Sequence, residues 1–124
     1  MKLRIKGNSI RLRLTQGEVQ RIGAGQEVRE EVGFGTGTFA YTLTVDASIP
    51  AVDAQFYGQE IQVRIPAGQA TAWAHSDQVG MEESVPGSEG QWLHVLIEKD
   101  FQCLHQRPNE DESDHFKNPA AVEE

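Results

Sequence analysis

The chain predicts an α+β fold, predominantly antiparallel β, and three observations carry that prediction. Most of its apolar residues fall in short segments that alternate with polar ones, the period of a half-buried strand. Two brief stretches break that period just after a helix-start signal. The segment 7–28, GNSIRLRLTQGEVQRIGAGQEV, also returns about fifty residues later as GQEIQVRIPAGQATAWAHSDQV, residues 58–79. Together these describe a ββαββ unit used twice, with about eight strands and two short helices, arranged as a curved sheet or a barrel. Closing eight antiparallel strands into a barrel would remove exposed edges.

Taken in order, residues 2–6 alternate, with Leu3 and Ile5 on one face and Lys2, Arg4 and Lys6 on the other. Gly7-Asn8 supplies the turn chemistry of a tight hairpin. In residues 10–14, Ile10, Leu12 and Leu14 oppose Arg11 and Arg13. Thr15-Gln16-Gly17-Glu18 has the form of a capping box, in which the glutamate reaches back to the threonine amide. A short helix follows, with Val19 and Ile22 facing inward, and Gly23 and Gly25 end it because glycine takes the left-handed cap at little cost. Two turns of helix are marginal in water, so packing on the sheet must hold this one.

Residues 27–34 form the next strand, its apolar side marked by Val28, Val32 and Phe34 and interrupted by Glu30. The clearest strand is 38–45, with Phe39, Tyr41, Leu43 and Val45 opposed to Thr38, Ala40, Thr42 and Thr44. Such β-branched and aromatic residues fit a pleated surface. The second copy opens near Ala54. Ile61, Val63 and Ile65 point inward, Pro66 stands where the first copy has Thr15, and a helix over 67–75 places Ala70 and Trp73 where Val19 and Ile22 stood. Proline at a helix start gives up no needed hydrogen bond. Strands over 78–85 and 92–98 complete the unit, and the repeat places Trp73 and Trp92 in the core. Aligning 7–32 on 58–83 without gaps gives six identities, Arg13 with Arg64 among them. One domain, 1–100, is therefore expected, with repeat 1 over about 2–46 and repeat 2 over about 53–100.

Residues 101–124 read FQCLHQRPNEDESDHFKNPAAVEE, with two prolines, an acidic run and no periodicity. They are expected as an acidic C-terminal tail, packing on the domain through Phe101, Cys103 and Leu104 or extending from it. The opening MKLRIKGNSIRLRLT, the middle SDQVG and the ending EKDFQCL with EDESDHFKNP resemble a family of small bacterial proteins of unknown function. The likeness covers nearly the whole chain. Lys117 stands where that family often has a proline before N-P. The resemblance implies a compact single domain and supplies no catalytic residues.

With 124 residues, one core is sufficient. No apolar run approaches the ~20 residues of a membrane span, no apolar block of signal-peptide type opens the chain, and a single cysteine excludes an internal disulfide. A cytoplasmic protein is expected. The net charge of −8 makes nucleic acid an unlikely partner class, because such binding depends on phosphate neutralisation. Charge is nonetheless segregated: residues 1–25 hold six basic side chains and one acidic one. The basic residues Lys2, Arg4, Lys6, Arg11 and Arg13, with Arg64 from the second copy, form a candidate anion-binding face. Alternating charge is ordinarily the solvated face of a sheet, which favours a non-enzymatic binding or interaction module, with a homodimer or an anionic small molecule as its partner.

The alternative is an inward-facing charged barrel that binds phosphate or triphosphate, or hydrolyses it with a divalent metal held by Glu27, Glu31, Glu82, Glu98 and Asp100. That layout is similar in topology to the triphosphate-tunnel enzymes, although their E-x-E-x-K signature is replaced here by K-x-R-x-K. Cys103, His105, Asp111, Asp114 and His115 form a second candidate metal set, of zinc-favoured ligand types at no standard spacing. No cofactor is otherwise implied. Neither Cys103 as a nucleophile, nor His75 and His94, nor the Gly33-x-Gly35-x-Gly37 run forms a recognisable catalytic arrangement.

Overall fold

The structure, a computed structural model, describes residues 1–101 and 114–116. Its elements run β1 (Lys2–Ile5), β2 (Ser9–Leu14), α1 (Gln16–Gly23), β3 (Val28–Phe34), β4 (Gly37–Asp46), β5 (Asp53–Tyr57), β6 (Glu60–Pro66), α2 (Ala67–Ala74), β7 (Gly80–Pro86) and β8 (Trp92–Lys99), with one turn of 3₁₀ helix at Ser88–Gly90 before the last strand. The fold is α+β, with eight strands in two mostly antiparallel sheets and two α-helices among the described residues.

One sheet has the order β1-β2-β8-β7 and the other β3-β4-β6-β5. The outer pairs of each sheet are antiparallel, while the central pairs, β2 with β8 and β4 with β6, are parallel. Each half of the chain therefore gives one hairpin to each sheet, and each helix carries the chain from one sheet to the other. The pairing is predominantly antiparallel, as expected, with four of the six described strand pairs antiparallel. One expected alternative is corrected here: the strands do not close into a barrel. Four edges, β1, β3, β5 and β7, remain, and each is short or charged. β1 has four residues with Lys2 and Arg4, β3 carries Arg29, Glu30 and Glu31, β5 opens on Asp53, and β7 carries Glu82, Glu83 and Pro86. Charge and shortness blunt such edges, although β3 and β5 also expose Phe34, Phe56 and Tyr57.

The local signals act as expected. Gly7 takes φ +57°, and Gly58-Gln59, both left-handed, close the β5–β6 hairpin in the two-residue turn that matches strand twist. Glu18 accepts the Thr15 amide at 2.9 Å, completing the capping box of α1. A single core joins the inner faces of both sheets, including Leu12, Leu14, Leu43, Val63, Ile65, Val95 and Ile97, to Val19 and Ile22 of α1 and Ala70 and Trp73 of α2. Trp73 is fully buried and donates to the Val79 carbonyl at 3.2 Å. Trp92, expected in the core, is 58% exposed. It is the first residue of β8, and Leu93, Val95 and Ile97 take the inward face, which turns Trp92 outward. The helices meet where Gly23 faces Ala74: a Cβ at Gly23 would lie 2.7 Å from the Ala74 Cβ, so only glycine permits the approach.

Candidate functional site

The basic face forms on the outer side of the first sheet, because the inward parity of β2 belongs to Ile10, Leu12 and Leu14. Register then places Lys2 opposite Arg13 and Arg4 opposite Arg11. Like charges directly opposed across two strands repel, and the parallel neighbour β8 relieves part of the repulsion. Glu98 lies beside Arg13 in register and sits 3.0 Å from Arg11 Nε and 3.7 Å from Arg13 Nε. Lys2 turns to Asp100, with its Nζ 3.5 Å from Oδ2. Arg4 and Lys6 have no carboxylate partner among the described residues. With Ser9 and Arg11 they line a concave polar surface of about 270 Å³ at the turn end of the hairpin.

Arg64 does not join this face. It lies on the outer side of the second sheet, where Asp53 takes it as a two-pronged partner (2.9 Å at Nε) and Asp46 lies 3.0 Å from Nη1. The hydrogen bonds to Asp53 hold its guanidinium above the ordinary arginine value. Asp46 is held below the usual carboxylate value, first by Ser48 and then by Arg64. Beside this pair, Arg29 bonds Glu60 and Glu31 (3.1 Å to the latter) and reaches Thr42 at 3.2 Å. Glu60 is lowered chiefly by the Arg29 hydrogen bond. Both arginines of the second sheet are thus paired with carboxylates, whereas the first sheet leaves Arg4 without one among the described residues. The alternative in which Arg4, Arg13 and Arg64 converge around acidic residues in a barrel interior is corrected: the arginines lie on the outer faces of two different sheets.

The acidic residues offered for a metal are also dispersed. Glu31 is on the second sheet, Glu82 and Glu98 are on the first, and no group of three His, Cys, Asp or Glu among the described residues is placed to hold an ion. Of the tail set, Cys103, His105 and Asp111 lie outside the described residues, as does Leu104. Asp114 and His115 are described, and both are engaged with the domain. Asp114 accepts from the Gly17 amide at 3.1 Å through its side chain and from the Gln16 amide at 2.8 Å through its carbonyl, so it satisfies free donors at the start of α1. His115 Nε2 lies 3.4 Å from Asp100 Oδ2, and both residues are buried. Phe116 donates its amide to Asp100, and its ring meets that of Phe101 at 5.6 Å.

Lys99 is a residue that the sequence reading does not single out. It shares inward parity with Val95 and Ile97 and is 7% exposed. Its ammonium donates to the Ser76 carbonyl at 2.7 Å and lies 5.4 Å from the centre of the Phe116 ring. Burial pushes it below the ordinary lysine value, and the negative charge of Asp77 opposes that shift. The available signal was a lysine on the apolar parity of a strand. His75 and His94 are structural in their contacts: His75 Nδ1 lies 3.0 Å from the Thr71 carbonyl, and His94 Nδ1 lies 3.0 Å from Ser84 Oγ. The N-terminal amine is buried against Glu18 and Glu30 (3.2 Å to the latter), which gives the inward Glu30 its partner.

No helix among the described residues is long and apolar enough to cross a membrane. No curated protein and no solved structure matches the chain. A family of unknown function, DUF7009, matches residues 1–120, and the chain belongs to that family.

Proposed function

We propose that this chain is a non-enzymatic binding module that engages an anionic partner through the turn end of its β1–β2 hairpin. The observation that carries the reading is local charge imbalance. In a chain of net charge −8, Arg4 and Lys6 remain without carboxylate partners among the described residues, while Lys2, Arg11 and Arg13 each have one and Arg29 and Arg64 each have two. Unpaired cations that share a concave surface with a third, Arg11, focus positive potential there. Guanidinium groups at such a surface suit bidentate capture of carboxylate or phosphate.

The scaffold reads as an internal duplication. In favour of this, replacing each strand by its counterpart in the other half turns the order β1-β2-β8-β7 into β5-β6-β4-β3, the order of the second sheet. The duplication explains the contrast in charge, because Arg13 and Arg64 are counterparts while Lys2, opposite Arg13, is replaced by Asp53, opposite Arg64. The first copy thereby carries more cations than its nearby carboxylates pair, whereas Arg64 in the second meets two carboxylates. Residues 1–100 act as one domain on this reading, and 101–124 as an acidic tail that docks through Phe101 and Phe116.

The test is titration of the full chain with polyglutamate and with inorganic tripolyphosphate, with and without Mg²⁺, followed by calorimetry at low and moderate salt. Binding that weakens with salt and falls at least tenfold in the Arg4→Glu/Lys6→Glu variant supports the reading. Equal binding by that variant, or no heat with either anion, overturns it. Turnover of tripolyphosphate would replace it with an enzymatic one.

A further inference from the structure

A second concavity lies away from the basic hairpin, between the start of α1, the end of α2 and the end of β8. It holds about 640 Å³, within the range of small-ligand sites. Its walls are largely apolar, formed by Val19, Val79 and the rings of Phe101 and Phe116, and its polar groups include Lys99 and Asp77. Val79 is half exposed at its rim.

The buried cation gives this cavity its chemistry. An ammonium has three donors. Among the described residues, Lys99 uses one on the Ser76 carbonyl and rests against the Phe116 ring, and no carboxylate forms an ion pair with it. A buried charge so sparsely bonded gains from an anionic acceptor. Asp77 on the same wall disfavours a second negative charge on that acceptor. The aromatic and aliphatic surface favours an apolar body behind it.

We propose that this cavity binds a small monocarboxylate with an aromatic or aliphatic body, its carboxylate on Lys99 and its body packed against Val79 and the paired rings of Phe101 and Phe116. The site is separate from the hairpin surface and does not rest on the function proposed for it. Phe116 belongs to the described stretch 114–116, so those residues supply one wall.

The probe is phenylacetate, titrated into the full ¹⁵N-labelled chain and followed by NMR, with phenylacetamide as the uncharged match and phenyl phosphate as the dianion. Phenylacetate is expected to move the amides of Val79, Lys99, Phe101 and Phe116 and to bind at least tenfold tighter than either control. Lys99→Met, which keeps the length and removes the charge, should weaken phenylacetate at least tenfold. Val79→Trp, which fills the rim and leaves Lys99 in place, should also block it, and this variant decides the matter if Lys99→Met does not fold. Arg4→Glu/Lys6→Glu should bind phenylacetate like the parent, so failure of one site is distinguishable from failure of the other. Absence of shifts at these residues at millimolar phenylacetate, equal binding of phenylacetamide, or unchanged affinity in folded Lys99→Met or Val79→Trp overturns the proposal.

Discussion

Arg29 and Glu60 show how single residues set the chemistry of a surface. Both stand on the outer parity of the second sheet, where a strand pattern predicts only solvated charge. Their pairing depends on β4 lying between β3 and β6, because that order brings Arg29, Thr42 and Glu60 side by side. A carboxylate whose value is lowered in the folded state stabilises the fold above its unfolded value and loses that contribution as pH falls through the folded one. The ordinary value of Glu60 is 4.5, so its contribution is intact at pH 6 and declines below about 4.5. Arg29→Met should therefore flatten the acid limb: between pH 6 and pH 3 the urea midpoint of the variant should fall by less than that of the parent. An equal fall would show that Arg29 does not govern Glu60. The candidate site was legible to the same degree. Sequence parity placed Lys2, Arg4, Arg11 and Arg13 on one face, but it could not show which of them Glu98 and Asp100 would neutralise, since those partners arrive about ninety residues later in the chain.

At the scale of the element, the helices are set by local signals and positioned by one glycine. Gly23 and Gly68 make the contrast testable. Gly23 faces Ala74 with no room for a Cβ, whereas nothing lies within 4 Å of a Cβ at Gly68. Gly23→Ala should destabilise the protein by about 1–3 kcal/mol, because the two helices must separate. Gly68→Ala should stabilise it by up to about 1 kcal/mol, because alanine lowers the entropy of the unfolded chain and favours helix. Thermal unfolding of the two variants should thus move in opposite directions, and movement of both in the same direction would refute this account of the helix contact. Gly17, the counterpart of Gly68, differs because a Cβ there would lie 3.1 Å from the Asp114 carboxylate, a contact that links α1 to the C-terminal segment. Sequence reading found the helix ends to within a residue. It could not foresee that Trp92 would turn outward, because the repeat aligns positions without reporting which parity a strand's first residue takes.

For the whole molecule, the governing fact is that neither half owns a sheet. The hairpin β1–β2 meets β7–β8 from the far half, and β3–β4 meets β5–β6 across the midpoint. One core runs through both sheets and both helices, so unfolding should be a single cooperative transition. Cutting the chain in the connector 47–52 gives a direct check. The separate fragments 1–51 and 52–124 should lack stable tertiary structure by near-ultraviolet circular dichroism, and mixing them should restore it. Independent folding of either fragment would contradict the shared core.

The sequence by itself determined the α+β class, the order of strands and helices, the inward residues of most elements, the helix caps and the cluster of cations at the start of the chain. All of these depend on neighbours within a few residues, where turn, period and capping chemistry act. Tertiary structure alone decided the rest: two open sheets in place of a barrel, parallel central pairs, Arg64 withdrawn into a neutralised network, and Lys99 buried beneath Phe116. These outcomes arise from pairings between residues far apart in the chain, and local periodicity carries no information about which strand will lie beside which.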